Sequence, residues 1–322
     1  MMKILEVKQL KKYFFAGKAS FLGEKKWIPA VDDINFDLKN GETLGLAGES
    51  GCGKSTLGRT MLKLLEPTAG SIYFKDEDIS KKSPKLMKPF RKKMQMIFQD
   101  PYASLNPRMT IGNIIAEPLI VHDIIKTKNE RIKKVKKLLE DVGLQPNYYE
   151  RYPSEFSGGQ RQRVMIARVL ATEPEIVIAD EAVSALDVSI QSQILNLMCD
   201  LQDEYNLSYI FISHDLGVVK FISDRIAVMY LGKIVELAES NELYNNPLHP
   251  YTKVLLDSIP KLENKLSKKS NLTGEIPSAM DLPAGCRFEP RCEKRIKTCK
   301  MKAPELKEVS QNHFVSCHLF EE

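Results

Sequence analysis

No stretch of this sequence approaches the ~18 consecutive apolar residues that a bilayer-spanning helix needs. The first ten residues, Met1 to Leu10, carry Lys3, Glu6 and Lys8 and lack the apolar core of a signal peptide. The expectation is therefore a chain made and kept in the cytosol. A strong charge of one sign is missing too. Lys and Arg number 47 against 42 Asp and Glu, a net +5 that is far from the footprint of a nucleic-acid binder, so no nucleic-acid partner is expected. Tryptophan is nearly absent, Trp27 being the single one. There is no internal repeat and no long coiled-coil insertion. The cysteines lack the paired C-x2-C knuckles of zinc ribbons.

What is present begins with Gly48-Glu49-Ser50-Gly51-Cys52-Gly53-Lys54-Ser55-Thr56. This is the P-loop pattern, set between the apolar run Thr43 to Ala47 and a helical stretch expected from Lys54 to Leu65. Glycines let successive N–H groups face one concave space, a nest for phosphate oxygens. The helix N-terminus adds partial positive charge at the same point. Lys54 has the length to reach the β- and γ-phosphates, and the Ser55 hydroxyl suits Mg²⁺. Chance alone would produce this pattern in roughly one chain in a hundred of this length, and the flanking strand and helix make that less probable still.

Along the chain, Ile4 to Val7 and Val31 to Leu38 read as strands, and Asn40-Gly41 as a turn before the P-loop strand. Between them Phe15 to Ile28 reads as a basic surface excursion. Short strands are expected at Ser71 to Lys75 and Met94 to Phe98. Ile132, Val135, Leu138, Leu139 and Val142 recur at helical spacing, with Gly143 placed to end the helix and a solvated face of lysines opposite. Ile176 to Ala179 and Tyr209 to Ile212 are continuous apolar runs suited to buried parallel strands. Arg225 to Tyr230 and Lys233 to Leu237 flank Leu231-Gly232 as a hairpin. After about residue 240 the composition shifts, and Lys261 to Lys269 reads as a linker before a cysteine-containing segment. Strand and helix alternation after a P-loop implies an α/β sheet with reactive groups at its carboxyl ends.

Three further elements narrow the chemistry. Ser157-Gly158-Gly159-Gln160 caps a helix whose first turn is two glycines, a second anion site more than a hundred residues beyond the first. The run Ile176 to Ala179 ends on Asp180-Glu181, where Asp180 suits the Mg²⁺ shell and Glu181 can polarise an attacking water. His214 stands at another strand end, suited to a γ-phosphate. A strand-terminal His or an Asp-Glu pair alone is usually structural; the four elements in this order are not plausibly chance.

Residues 3 to 240 resemble the ATP-binding cassette family. The resemblance implies a P-loop NTPase (RecA-like) core with an antiparallel β subdomain and a helical subdomain at about 100–165. Gly48 through Thr56, with Ser50, Gly51, Cys52 and Gly53 inside it, matches Walker A, and Gln99 the Q-loop residue that senses Mg²⁺ and the permease. Ser157 to Gln160 matches the signature, with Phe156 where Leu is commoner. Asp180 matches the Walker B carboxylate, Glu181 the catalytic one, Ser184 to Asp187 the D-loop and His214 the switch histidine. Tyr13 resembles the aromatic that stacks on adenine. In this family the signature completes the site of the opposite subunit, so two such domains face each other across ATP and Mg²⁺.

The stretch Phe98 to Thr110, His249-Pro250-Tyr251-Thr252, Thr56-Leu57-Gly58-Arg59 and the late cysteines are similar to the oligopeptide/dipeptide (peptide/nickel) importers, closest to their F-type ATPase. That implies a heterodimer of ATPases beneath two membrane permeases, fed by an extracytoplasmic binding protein, at the cytoplasmic face of the membrane. In isolation a homodimer is the alternative, and nickel chelates or sugars are alternative cargoes. A non-transport cassette ATPase of DNA repair or translation is the rival class. The extension, residues 241–322, spaces its cysteines Cys286-x5-Cys292-x6-Cys299-x17-Cys317. Four thiolates suit zinc or an iron–sulfur cluster. A [4Fe–4S] cluster is what the resemblance implies, with zinc or free thiols as alternatives and His313 or His318 as substitute ligands.

Overall fold

A computed structural model describes residues 2–18, 25–258 and 277–321. The chain opens with two long strands, β1 (Lys3–Lys18) and β2 (Lys25–Lys39), then β3 (Thr43–Ala47) and helix α1 (Lys54–Met61). β4 (Ala69–Phe74), β5 (Glu77–Asp78), α2 (Lys88–Lys93) and β6 (Met94–Ile97) follow. Four helices come next: α3 (Pro101–Ser104), α4 (Ile111–Val121), α5 (Lys128–Asp141) and α6 (Gly158–Leu170). Then come β7 (Ile176–Asp180), α7 (Val188–Tyr205), β8 (Ser208–Ile212), α8 (Leu216–Ile222), β9 (Arg225–Tyr230) and β10 (Lys233–Glu239). The chain ends with α9 (Ser240–Asn245), α10 (Pro250–Asp257), α11 (Thr298–Met301), β11 (Lys307–Ser310) and β12 (His313–Val315).

Two compact units emerge. One comprises Met1–Met2, Lys39–Thr43 and Lys81–Ile212, the other Lys3–Leu38, Leu44–Ser80 and Ser213–Glu322. In the first, β6, β7 and β8 are parallel neighbours, Ile176 lying opposite both Met94 and Ser208. β7 and β8 are buried along their whole length, as their unbroken apolar composition dictates. Helices α3 to α6 are consecutive in this unit, with α4 packing on both α5 and α6. Their starts are set by side-chain caps. Thr110, Thr127 and Ser157 each accept the N–H three residues on, at 3.4, 3.4 and 3.3 Å. α5 buries Val135, Leu138 and Leu139, while Lys134 pairs with Glu173 at 2.7 Å and Lys137 with Asp141 at 2.8 Å. The lysine face is a solvated one, as expected.

The second unit holds a sheet ordered β2-β1-β4-β5, with Leu5 opposite Phe74 and Val7 opposite Ile72 in antiparallel register. It also holds the strand series β11-β12-β10-β9-β3. β3 and β9 are parallel, Leu44 opposite Arg225 and Ala47 opposite Val228. β9 and β10 form the expected hairpin about Leu231-Gly232. Glu236 on β10 lies opposite Val315 on β12, so the end of the chain adds strands to this sheet, which the sequence pattern did not announce.

Several expectations need correction. Of the surface excursion expected at Phe15 to Ile28, the described residues 15–18 and 25–28 continue β1 and β2, the exposed Phe15 meeting the exposed Trp27 edge to face with ring centroids 5.5 Å apart. The helix expected from Lys54 to Leu65 ends at Met61, and Lys63 turns to φ 50°. The linker Lys261 to Lys269 lies outside the described residues. Among the described residues no helix is long and apolar enough to cross a membrane.

His249 starts α10 as its cap, accepting the Tyr251 N–H at Nδ1 (3.1 Å). Burial pushes its pKa down to about 4, against ~6.5 in an unfolded chain. Glu236 opposes that shift and Lys253 adds to it. The unfolded state thus takes a proton that the folded state refuses until about pH 4. Stability falls as the pH drops from ~6.5 towards 4, by about 3 kcal/mol in all. Urea unfolding at pH 5 and pH 7 tests this: His249→Gln should narrow the difference between the two midpoints, and an unaltered difference would exclude His249 as its source.

Candidate functional site

The P-loop lies in the second unit, between β3 and α1. Gly48, Gly51 and Gly53 have φ of 149°, 79° and 109°, the alternation that turns consecutive N–H groups to one side. A Cβ on Gly48 would sit 2.2 Å from the Met229 carbonyl oxygen, and one on Gly53 2.0 Å from that of Ala30. Neither position admits another residue. Ser50 and Gly51 are exposed, Cys52 is buried, and Ser55 and Thr56 are half-buried at the start of α1. Burial pushes the Cys52 thiol pKa up, so it is an inert packing group. The Lys54 ammonium donates to the carbonyl oxygens of Gly48 (2.7 Å) and Glu49 (3.1 Å), which holds it against the loop. In the same unit Tyr13 on β1 donates its hydroxyl to Asp32 at 2.5 Å. Burial, then this bond, pushes the Tyr13 pKa up to about 12. Asp32 is itself held ionised: burial opposes its charge, but the Tyr13 hydroxyl and the Arg287 guanidinium outweigh it and lower its pKa.

The first unit carries the other candidates except His214. Asp180 is the last residue of β7 and is 1% exposed. Glu181 follows at φ 49°, a left-handed conformation unusual outside glycine. Its N–H is taken by the Ile212 carbonyl at 2.9 Å, and its own carbonyl accepts the Ser184 hydroxyl at 3.0 Å. Gln99 donates its amide to the Glu181 carboxylate at 2.7 Å, so two candidates 82 positions apart are brought into contact. Ser157 and Gln160 form a reciprocal capping box, the Gln160 amide oxygen accepting the Ser157 N–H at 3.0 Å. Ser157 is exposed, with Gly158 and Gly159 next in line at the helix start. His214, in the second unit, precedes the Asp215 cap of α8 and is exposed.

The four late cysteines line one small cavity of about 10 Å³, together with His249, Phe288 and His318. Burial pushes the Cys286 thiol up to about 11 and also raises those of Cys292 and Cys317. Among the described residues no group of three or more His, Cys, Asp or Glu is arranged to hold a single metal ion. His313 and His318 do not serve as spare ligands. His313 Nε2 meets Glu236 at 2.8 Å, and His318 uses both ring nitrogens, on Glu321 (2.6 Å) and the Lys302 carbonyl (2.7 Å). Sequence reasoning missed Arg287 and Arg291. Arg287 bonds Asp32 and the Leu231 carbonyl, and Arg291 bonds Glu49 inside the P-loop at 2.8 and 2.9 Å. Their flanking of Phe288 between two cysteines was the available signal. A cavity of about 670 Å³ in this unit is lined by Lys8, Asp33, Arg225, Lys233 and Phe314 among others, and by no P-loop residue.

The P-loop following a strand, the carboxylate pair ending a buried parallel strand and the alternating strands and helices define a P-loop NTPase. Residues 31–184 match the model of the ABC transporter family, and residues 235–299 that of the oligopeptide/dipeptide transporter C-terminal region. The chain is 55% identical to the oligopeptide transport ATP-binding protein AppF of Bacillus subtilis over 98% of its own length and 97% of that protein's. It is 46% identical to the dipeptide transport ATP-binding protein DppF of Escherichia coli, covering 98% of this chain and 93% of that one. Among solved structures it is similar to the post-hydrolysis dimer of the ATP-binding cassette MJ0796 bound to ADP and Pi. That likeness has a TM-score of 0.65 and 28% identity over 73% of this chain and 98% of that one. CbiO1 of Clostridium perfringens, part of the transporter complex cbiONQ, gives 0.66 and 27% over 76% of this chain and 92% of that one. The chain belongs to the ABC transporter family, as an ATP-binding protein of its oligopeptide/dipeptide branch.

The glycines of the P-loop make a graded test. Gly51 has open space around its Cα, so Gly51→Ala costs only the left-handed conformation, about 1 kcal/mol. Gly53→Ala must displace the Ala30 backbone. The expected order of ATP affinity, measured by nucleotide titration, is native above Gly51→Ala and well above Gly53→Ala; equal losses at 51 and 53 would refute the close-approach reading.

Proposed function

We propose that this chain is the ATP-hydrolysing subunit that powers import of di- or oligopeptides across the cytoplasmic membrane. The observation that carries this is a P-loop and a Gln99-held glutamate in one chain that matches peptide-transport ATP-binding proteins over nearly its whole length. In this reading residues 1–240 are the nucleotide-binding domain and 241–322 the transporter-type extension. The P-loop N–H groups and Lys54 bind the phosphates, Ser55, Gln99 and Asp180 serve Mg²⁺, and Tyr13 stacks on adenine. Glu181 polarises the attacking water, and its geometry is fixed by the Gln99 amide and by its own strained backbone. His214 contacts the γ-phosphate. The Ser157-Gly158-Gly159-Gln160 turn, Ser157 exposed and the other three half-buried, acts on the nucleotide of a second ATPase subunit, and the exposed Ser50-Gly51 tip is where that subunit's turn arrives. Two permeases anchor the pair at the membrane, and an extracytoplasmic binding protein delivers the peptide.

Phosphoryl transfer of this type is positioning and charge stabilisation, so removing one oriented base is costly. In the reconstituted transporter Glu181→Gln should keep ATP binding and lose steady-state hydrolysis by roughly a hundredfold or more. Hydrolysis near the native rate would remove Glu181 from the role, and peptide uptake that proceeds without this subunit would remove the function.

Cys286, Cys292, Cys299 and Cys317 would hold a [4Fe–4S] cluster, whose part is structural. The donor chemistry fits, since four thiols converge on one cavity. Zinc bound by the same four thiolates is the alternative occupant. Anaerobically purified protein should contain about four irons per chain, lost in Cys292→Ser. Stoichiometric zinc without iron would overturn the assignment.

A further inference from the structure

The segment Cys286-Arg287-Phe288-Glu289-Pro290-Arg291-Cys292 does more than carry thiols. Phe288 is buried among the rings of Tyr230, Tyr251 and His249, with centroids 5.3, 5.4 and 5.7 Å away. That anchor fixes the segment, and the two arginines on either side of it reach in two directions. Arg291 donates through both terminal nitrogens to both oxygens of Glu49, at 2.8 and 2.9 Å. The Arg291 side chain is 4% exposed and that of Glu49 20%. This is the bidentate geometry in which an ion pair is directional and strong. The bond to Glu49 raises the Arg291 pKa further above its usual value, against burial. The Glu49 N–H is taken by the Tyr251 hydroxyl at 2.9 Å, so both the backbone and the side chain of this P-loop residue are tied down from the carboxyl-terminal part of the chain.

Arg287 works on the other flank. It bonds the carbonyl of Leu231 and the carboxylate of Asp32, which in turn accepts the Tyr13 hydroxyl at 2.5 Å. The next residue in the turn, Gly232, donates its N–H to the Cys52 carbonyl and accepts that of Asp32, both at 2.8 Å. One short segment thereby grips the P-loop at Glu49 and, through the Leu231-Gly232 turn, at Cys52.

We propose that Arg291 and Arg287 are positioning residues for nucleotide: clamped on Glu49 and on the Leu231–Asp32–Tyr13 group, they hold the P-loop curled for phosphate. ATP affinity then depends on the cysteine segment, which otherwise stands apart from the phosphate chemistry. This rests on the ATPase reading above. The clamp supplies preorganisation. Without it the loop must be ordered by the nucleotide itself, which weakens binding without altering any phosphate contact.

The test uses the full-length chain and a fluorescent ATP analogue. Arg291→Gln and Glu49→Gln should each raise Kd about tenfold, and the double variant should be no worse than either alone, because both remove one interaction. Arg291→Lys keeps the charge but loses the two-pronged bond, and should rescue only partly. Amide exchange of residues 48–54 should quicken in each variant, and in the assembled transporter the KM for ATP should rise more than kcat falls. Glu49, being part-exposed, keeps the test open should Arg291 variants fail to fold. A Kd within twofold of native in a folded Glu49→Gln protein, or additive effects in the double variant, would overturn the clamp. Failure of the unmodified chain to bind ATP would instead overturn the ATPase reading beneath it.

Discussion

Two backbone segments crowd the P-loop so closely that side chains are excluded. The Ala30 carbonyl of β2 occupies the space a Cβ on Gly53 would need, and the Met229 carbonyl of β9 does the same at Gly48. Gly232, in the turn after β9, is under the same pressure from Pro29 and Ala30. The curl that aims N–H groups at phosphate is therefore set by neighbouring strands rather than by the loop alone. β3 and β9 are parallel partners, so the loop that follows β3 inherits the position of β9. The turn after β9 then returns to the loop through the Gly232 N–H on Cys52. Much of the second unit is a frame for these few amides.

That dependence explains what could be read from the sequence and what could not. Gly48 to Thr56, Ser157 to Gln160 and Asp180-Glu181 are covalently local, and their chemistry follows from spacing. β7 and β8 are legible because burial on both faces demands unbroken apolar runs. The β9–β10 hairpin is legible from Leu231-Gly232. The partners of these elements are another matter. Glu49 and Arg291 are 242 positions apart, and Asp32 and Arg287 are 255. Charged residues are common enough that no pattern selects one arginine among many at such a distance. The sheet strands β11 and β12 escaped for a related reason: Lys307–Ser310 and His313–Val315 are too short and too polar to display an alternating period. His313 and His318 looked available because the sequence hides Glu236 and Glu321 as their partners.

The cysteine segment illustrates how one stretch of chain serves two demands. Its thiols turn inward to a shared cavity, while Arg287 and Arg291 turn towards Asp32 and Glu49. Phe288 makes both possible, since a ring buried among Tyr230, Tyr251 and His249 fixes the backbone on either side. A buried guanidinium is costly unless its donors are met. For Arg291 the Glu49 carboxylate meets both terminal nitrogens, at the P-loop itself, while the buried Nε has no hydrogen-bond partner among the described residues. Glu236, fully buried, plays a similar part nearby: it accepts the N–H groups of Leu248 (2.7 Å) and His249 (2.9 Å) and pairs with His313. One carboxylate thus joins the start of α10 to the last strand.

Glu181 poses the complementary problem in the first unit. A left-handed backbone outside glycine costs of order 1–3 kcal/mol and persists only where neighbours enforce it. Here the enforcing contacts are specific: the Ile212 carbonyl takes its N–H, and Ser184 binds its carbonyl. The strain directs the side chain to Gln99, whose amide holds one carboxylate oxygen at 2.7 Å. The amide fixes the orientation of the carboxylate, which the function proposed above requires of the group that polarises the water. The same unit exposes the capped start of α6 at Ser157, and Val188 just after the Ser184 to Asp187 turn is 80% exposed. An apolar side chain that open beside an uncovered helix start is the composition of a surface made to be covered. In the function proposed above, a second cassette would suit that covering, its phosphate facing the first-turn amides of α6.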